Sequence, residues 1–136
     1  MIDLIITAML VQAAAPDPCN AAVQPATPPP GCPAWRAQGT DADGASFVDP
    51  ASLVRGPGGF EIMTRVVYND DRQFPIRSAL FRIRFDCVAR TARATHISLF
   101  DAAGVPVGGG DILPSHAERP QAPGLALLDE FCPARR

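Results

Sequence analysis

Several residue types are absent or scarce in this chain, and the scarcity of histidine and of net charge argues against two classes of function. The 136 residues contain no lysine, only two histidines, one tryptophan and one tyrosine. The four cysteines form no C-x-x-C motif, and with the histidines far away the chain lacks the ligand spacing of a zinc site. Charge is nearly balanced, at 12 basic against 14 acidic residues. The net charge therefore does not indicate binding to nucleic acid or to an anionic membrane.

The N-terminal residues carry an apolar run that is too short to cross a bilayer. It covers residues 4–11, well below the ~20 residues that a membrane-spanning helix needs. Three alanines at 13–15 follow, which is the order of apolar and small residues in a secretory signal. We therefore predict a signal peptide over residues 1–15 and no membrane span. Asp3 and the lack of a cation before the run depart from that pattern, and a buried N-terminal strand is the alternative.

Motifs for catalysis are equally sparse. Ser115 and His116 share a loop with Asp111, but no G-x-S-x-G surrounds the serine, and adjacent side chains seldom reach nucleophile–base geometry. His96 is expected on a sheet face. The chain is thus predicted not to be an enzyme. The alternative is a small periplasmic hydrolase or enzyme-partner domain that uses the loop at residues 111–119.

Metal and phosphate motifs are incomplete. Asp41 and Asp43 resemble half of a calcium loop, but Pro50 stands where the distal glutamate belongs, so a plain turn is predicted. The glycines at 108–110 precede no Lys-Ser/Thr pair, which argues against a phosphate loop. We predict no cofactor and no bound metal.

The clearest positive feature is a strand pattern at residues 77–87. Apolar and polar side chains alternate there at period two, which is typical of a half-buried strand. One side carries Ala79, Phe81, Ile83, Phe85 and Cys87; the other carries Ser78, Arg82, Arg84 and Asp86. Cys87 is therefore expected to face the core.

The remaining segments predict an antiparallel meander. Strands are expected at 34–38, 45–48, 60–68, 91–100 and 105–107, with turns at 41–44, 56–59, 69–71 and 101–104. Residues 51–54 are expected to form a short helical turn or an irregular segment. Residues 123–132 predict a short helix between Pro123 and Pro133. The fold class is α+β, mainly β: a four- to six-stranded antiparallel sheet with the C-terminal helix packed on one face.

Four cysteines in a short chain behind a predicted signal suggest disulfides, with three pairings open. We favour Cys87–Cys132, because Cys132 lies in the last apolar segment. That bridge closes a loop of about 46 residues and contributes roughly 4 kcal/mol in the chain-entropy estimate. Cys19–Cys32 would be the second pair, in a proline-rich segment, residues 16–33, that is predicted to be a linker. Free or mixed thiols are the alternative there.

The ordered elements resemble the bacterial surface-adhesin protein E-like family. The residues that carry the resemblance are Trp35 with its neighbours, the block at 47–53, residues 82–90 with Asp86-Cys87, the strand end at 100–104, and a cysteine near residue 132. The resemblance covers roughly residues 34–132, and we predict a domain at 34–136. It implies an antiparallel sheet, a C-terminal helix tethered through Cys87 and Cys132, export to the envelope, and no catalysis. The name-giving adhesin is surface-exposed and binds host extracellular proteins.

Arginines are concentrated on the outer side of the predicted central strand. Arg82 and Arg84 lie there, Arg93 begins the next strand, and Arg65 joins them from the preceding one. This predicts a face that binds sulfated glycan, lipopolysaccharide phosphate or an acidic protein patch. The alternative is a solvated face paired with Glu61 and Asp86.

Together these features predict an exported, non-enzymatic module of the envelope, in the periplasm or at the cell surface. It would bind a protein or polyanion through a sheet face or an edge strand, and a free edge also predicts a homodimer. A purely structural envelope protein is the remaining alternative.

Overall fold

Six strands follow one another along the chain and across the sheet. The computed structural model describes residues 15–23, 27–69, 75–113 and 117–133. The strands are β1 (Arg36–Thr40), β2 (Gly44–Gly56), β3 (Gly59–Tyr68), β4 (Ser78–Asp86), β5 (Thr91–Phe100) and β6 (Pro106–Asp111), and α1 (Ala122–Phe131) comes after them. Each strand is antiparallel to the next, in the order β1 to β6. The predicted fold class is confirmed.

One prediction about β2 is wrong. Residues 51–54 form no helical turn but continue the strand, with a register shift between Asp49 and Val54. The Ser52 hydroxyl donates to the Asp49 carbonyl at 2.6 Å and accepts the Met63 N–H at 2.8 Å. The side chain thus replaces a ladder hydrogen bond within the bulge, where Pro50 is also tolerated.

The sheet has two unlike faces. Alternation along β3 and β4 puts Phe60, Ile62 and Phe85 on one face, where α1 covers them with Leu127 and Leu128. We call this the helix face. The rings of Phe60 and Phe85 stack with centroids 4.8 Å apart. Both leucines are buried, and their burial contributes about 3–6 kcal/mol. The opposite face, here the second face, carries the intervening residues of the same strands, which include Glu61, Arg65, Arg82 and Arg84.

Ionic contacts and a disulfide hold α1 on the sheet. Cys87 and Cys132 are bonded, with Cα atoms 5.6 Å apart. The guanidinium groups of three arginines on strands and turns meet the last turn of the helix. Arg36 pairs with Glu130, Arg90 reaches Asp129 at 2.6 Å, and Arg55 donates to the Phe131 carbonyl at 2.7 Å. These cations offset the unfavourable placement of two acids near the negative end of the helix dipole.

The segment at residues 17–22 packs on the second face, and we call it the N-terminal cover. Its contacts are hydrogen bonds of Asp17 N–H to Gly104 O (2.9 Å), Ala22 N–H to Ala102 O (3.0 Å), Ser78 Oγ to Asn20 O (3.3 Å) and Arg65 Nη2 to Ala21 O (2.7 Å). Cys19 is bonded to Cys32. The linker predicted for residues 16–33 does not anticipate this packing.

Candidate functional site

Three arginines lie together on the second face, and we call them the arginine surface: Arg82, Arg84 and Arg93. Arg84 on β4 is directly opposite Arg93 on β5. Residues in this position have Cβ atoms about 5 Å apart, and like charges there repel. Arg82 lies two residues from Arg84 on the same face, about 7 Å along the strand. Its side chain is 55% exposed. The three residues that the sequence predicts for a binding face thus lie beside one another in the structure.

The nearby carboxylates neutralise only part of this charge. Glu61 on β3 pairs with Arg82, its Oε1 lying 3.5 Å from the arginine Nε. Asp86 instead accepts the backbone N–H groups of Val88 and Ala89, both at 2.9 Å, and so closes the β4–β5 turn. Within the described residues neither Arg84 nor Arg93 forms an ion pair. Two adjacent guanidinium groups therefore have donors available for an external oxyanion.

Arg65 does not belong to the exposed arginine surface. It is on the same face, but its exposed fraction is 2%, because the N-terminal cover lies over it. Its Nη2 donates to the Ala21 carbonyl at 2.7 Å, and its Nε has no hydrogen-bond partner among the described atoms. Burial lowers the pKa of this guanidinium. The sequence pattern assigns Arg65 to the correct face, but it cannot indicate a cover from a distant segment.

A serine, a histidine and an aspartate that the sequence did not link meet on β5 and β6. His96 Nδ1 lies 2.9 Å from Asp111 Oδ1, and Ser98 Oγ lies 3.4 Å from His96 Nε2. The order of atoms matches a catalytic triad, but the Asp111 side chain is 95% exposed, so water screens its charge. The contact chiefly joins β6 to β5. Ser115 and His116 lie outside the described residues.

A groove of about 610 Å³ runs between β1 and α1. Its ionisable groups are already engaged: Arg36 pairs with Glu130, and Asp41 accepts the N–H groups of Asp43 and Gly44. Both acids therefore contribute to contacts of the fold. Asp41 also forms the plain turn that the sequence predicts there.

The part of the chain that the structure describes contains no cluster of three or more histidine, cysteine, aspartate or glutamate residues that could hold a metal ion. None of its helices has the length and apolar character needed to traverse a bilayer.

The family model for surface-adhesin protein E matches residues 35–126. The chain belongs to this family. The match takes in all six strands and ends within α1, so the N-terminal cover and Cys132 lie outside it. No curated protein matches the chain. No solved structure matches it either. Membership of the surface-adhesin E family points to a non-enzymatic, adhesin-like role at a surface. Together with the two disulfides it suggests an exported protein.

Proposed function

We propose that this chain is an exported, non-enzymatic adhesin-like module that binds a sulfated polyanion through the arginine surface. The observation that carries the proposal is the cross-strand placement of Arg84 and Arg93 without a carboxylate partner among the described residues. Glu61 is opposite Arg84 on β3 but lies within ion-pair distance of Arg82, so it offsets the repulsion between the two arginines only in part. A ligand that supplies oxyanions would remove the repulsion and gain charge-assisted hydrogen bonds.

A polyanion fits this surface better than a single small anion. The cations follow one strand and its neighbour at regular spacing, about 7 Å along β4 and about 5 Å across to β5. A chain with repeated sulfate groups can meet several of them at once. Arginine suits the task, because its planar fork donates two parallel hydrogen bonds to an oxyanion. An acidic protein patch is the competing ligand.

Retention on immobilised heparin at low salt tests the proposal. The whole chain has a formal net charge of −2 at pH 7, so its average charge opposes binding and retention must come from a local surface. We expect the wild-type protein to be retained and the double variant R84S/R93S to flow through. Soluble polyglutamate should not displace the wild-type protein at equal charge concentration, and displacement would favour the acidic-protein alternative.

The matched control is R119S/R135S, which removes the same charge elsewhere. Arg119 is exposed in the segment before α1, and Arg135 follows α1 in the sequence. If both double variants lost retention equally, overall charge rather than the arginine surface would be responsible. If R84S/R93S eluted with the wild type, the proposed site would be wrong.

Export to the periplasm or cell surface is part of the same proposal. Its support is the family and the two disulfides, because such bridges persist in oxidising compartments. The signal peptide at 1–15 stays a prediction. A reporter fused to residues 1–20 should leave the cytoplasm, and a fusion that stays inside would contradict the prediction. The homodimer through an edge strand also stays a prediction, with β1 and β6 as the two edges.

A further inference from the structure

The buried guanidinium of Arg65 is unusual, because a buried charge is normally paired with an opposite charge. Arg65 is 2% exposed, and no carboxylate of the described residues pairs with it. Its hydrogen-bond acceptor among the described residues is a backbone carbonyl, that of Ala21. The Nε atom has no acceptor among the described residues. The site thus holds a cation whose hydrogen-bonding capacity is only partly used.

Arg65 lies in line with the arginine surface. It is opposite Leu80 on β4, and the next residue of β4 on that face is Arg82. Diagonal neighbours of this kind lie about 7–8 Å apart, within reach of long side chains. If the N-terminal cover were displaced, Arg65 would therefore extend the row of cations rather than form a separate site.

The cover is held in part by contacts that solvent can replace. Its hydrogen bonds to the sheet and to the turn after β5 include four that are accepted by backbone carbonyls, which water can equally satisfy. Close packing adds to them at Gly104: a side-chain carbon there would overlap Asp17 O and lie 3.0 Å from Ala21 N. The Cys19–Cys32 bridge ties the cover to Cys32, which precedes β1 by only a few residues. Breaking the bridge lengthens the tether and lowers the local concentration of the cover.

We propose that the N-terminal cover is a releasable shield over Arg65, and that loss of the Cys19–Cys32 bridge makes Arg65 a further polyanion-binding residue. This inference rests on the function proposed above. The physiological trigger would be a dithiol. Its two thiols give up two electrons and two protons, the S–S bond of Cys19–Cys32 breaks, both cysteines become thiols, and the dithiol closes into its own disulfide.

The first experiment measures release without using polyanion binding. Phenylglyoxal modifies accessible guanidinium groups, and peptide mass spectrometry reads the modification at each arginine. In the oxidised wild-type protein, Arg84 should react and Arg65 should not. In C19S/C32S, which leaves Cys87–Cys132 intact, Arg65 should react several-fold faster while Arg84 stays unchanged. Continued protection of Arg65 in C19S/C32S and in the glycine variant described next would overturn the inference.

A pair of glycine variants tests the shield with both disulfides present. Gly104 has φ +85° and contacts the cover, whereas Gly58 has φ +71° and open space around it. G104A and G58A therefore carry similar backbone strain, but only G104A pushes on the cover. We expect Arg65 to react in G104A and to stay protected in G58A. Equal reactivity in the two variants would mean that strain, not displacement, exposes it, and would count against the inference.

The second experiment tests what Arg65 does once exposed. C19S/C32S should elute from heparin at higher salt than the wild-type protein, and adding R65M should cancel that gain. Methionine keeps much of the apolar stem of arginine, so packing changes little. Reactive Arg65 without a gain in retention would reject its binding role. Failure of the function proposed above gives a different result: R84S/R93S would elute with the wild type, while the labelling still reports the shield.

Discussion

The Ser52 hydroxyl accepts the backbone N–H of Met63 at 2.8 Å, and this contact keeps β2 joined to β3 through its irregular stretch. We predict that S52A lowers the free energy of unfolding by about 1–3 kcal/mol, because the Met63 N–H loses its partner in a partly buried place. Urea denaturation measures the loss. S46A is the control, since the Ser46 side chain forms no hydrogen bond with the described residues, and it should stay within about 0.5 kcal/mol of the wild type. Equal losses would show that the bulge does not depend on this hydroxyl.

Arg93 offers a test of whether stability and binding oppose each other. R93E turns the repulsion with Arg84 into attraction, so we expect the free energy of unfolding to rise by about 0.2–1 kcal/mol at low salt. The gain should largely vanish near 1 M salt, where the screening length is about 3 Å. Heparin retention should fall in the same variant. R119E is the control, with no opposed arginine across a strand, and a similar gain there would refute the cross-strand explanation.

Leu128 is fully buried between α1 and the helix face. L128A should lower the free energy of unfolding by about 2–5 kcal/mol through lost burial and the cavity left behind. Val54, with 65% of its surface exposed, gives the matched truncation, and V54A should change stability by no more than about 0.5 kcal/mol. A small effect at Leu128 would mean that the helix is not an essential part of the core.

The two disulfides should differ in what they protect. C87S/C132S is expected to cost about 4 kcal/mol, and C19S/C32S about 3 kcal/mol, from loop entropy alone. Limited proteolysis separates them further, since α1 should become susceptible only in C87S/C132S. Denaturation and peptide mapping of both variants give the two readouts. Cleavage within α1 of C19S/C32S would contradict this division.

Gly59 begins β3 where backbones approach closely. A side-chain carbon there would overlap the Phe85 carbonyl of β4, whereas one at Gly56 meets nothing within 4 Å. We predict that G59A destabilises the fold by about 1–3 kcal/mol and G56A by at most about 0.5 kcal/mol. Thermal and urea unfolding of both variants would check this. Similar values would show that β4 can move aside without cost.

Local patterns in the sequence were sufficient to predict most strands and turns of the sheet. The alternation at residues 77–87 identified the buried face of β4, with Phe85 1% exposed and Ala79 fully buried. The turn at 56–59 also forms as its glycines and proline predict. The signals are local in both cases, because period-two burial and turn chemistry depend on neighbouring residues. The pairing of Cys87 with Cys132 followed from the expected position of the helix.

Features that depend on contacts between distant segments could not be predicted. Residues 51–54 carry no strand signal of their own, and their hydrogen bonds come from Ser52 reaching β3. The burial of Arg65 depends on residues more than forty positions earlier in the chain. The contact of His96 with Asp111 requires the register of β5 with β6, which no local pattern fixes.

The order of elements along the chain has a consequence for biogenesis. Every strand pairs with its immediate predecessor, so the sheet can assemble progressively as the polypeptide emerges. The apolar helix face, however, stays exposed to solvent until α1 has been synthesised, because α1 follows all six strands in the chain. During that interval the incomplete chains are prone to aggregate through this exposed face. Formation of the Cys87–Cys132 disulfide, which fixes α1 on the sheet, is the step that ends this exposure.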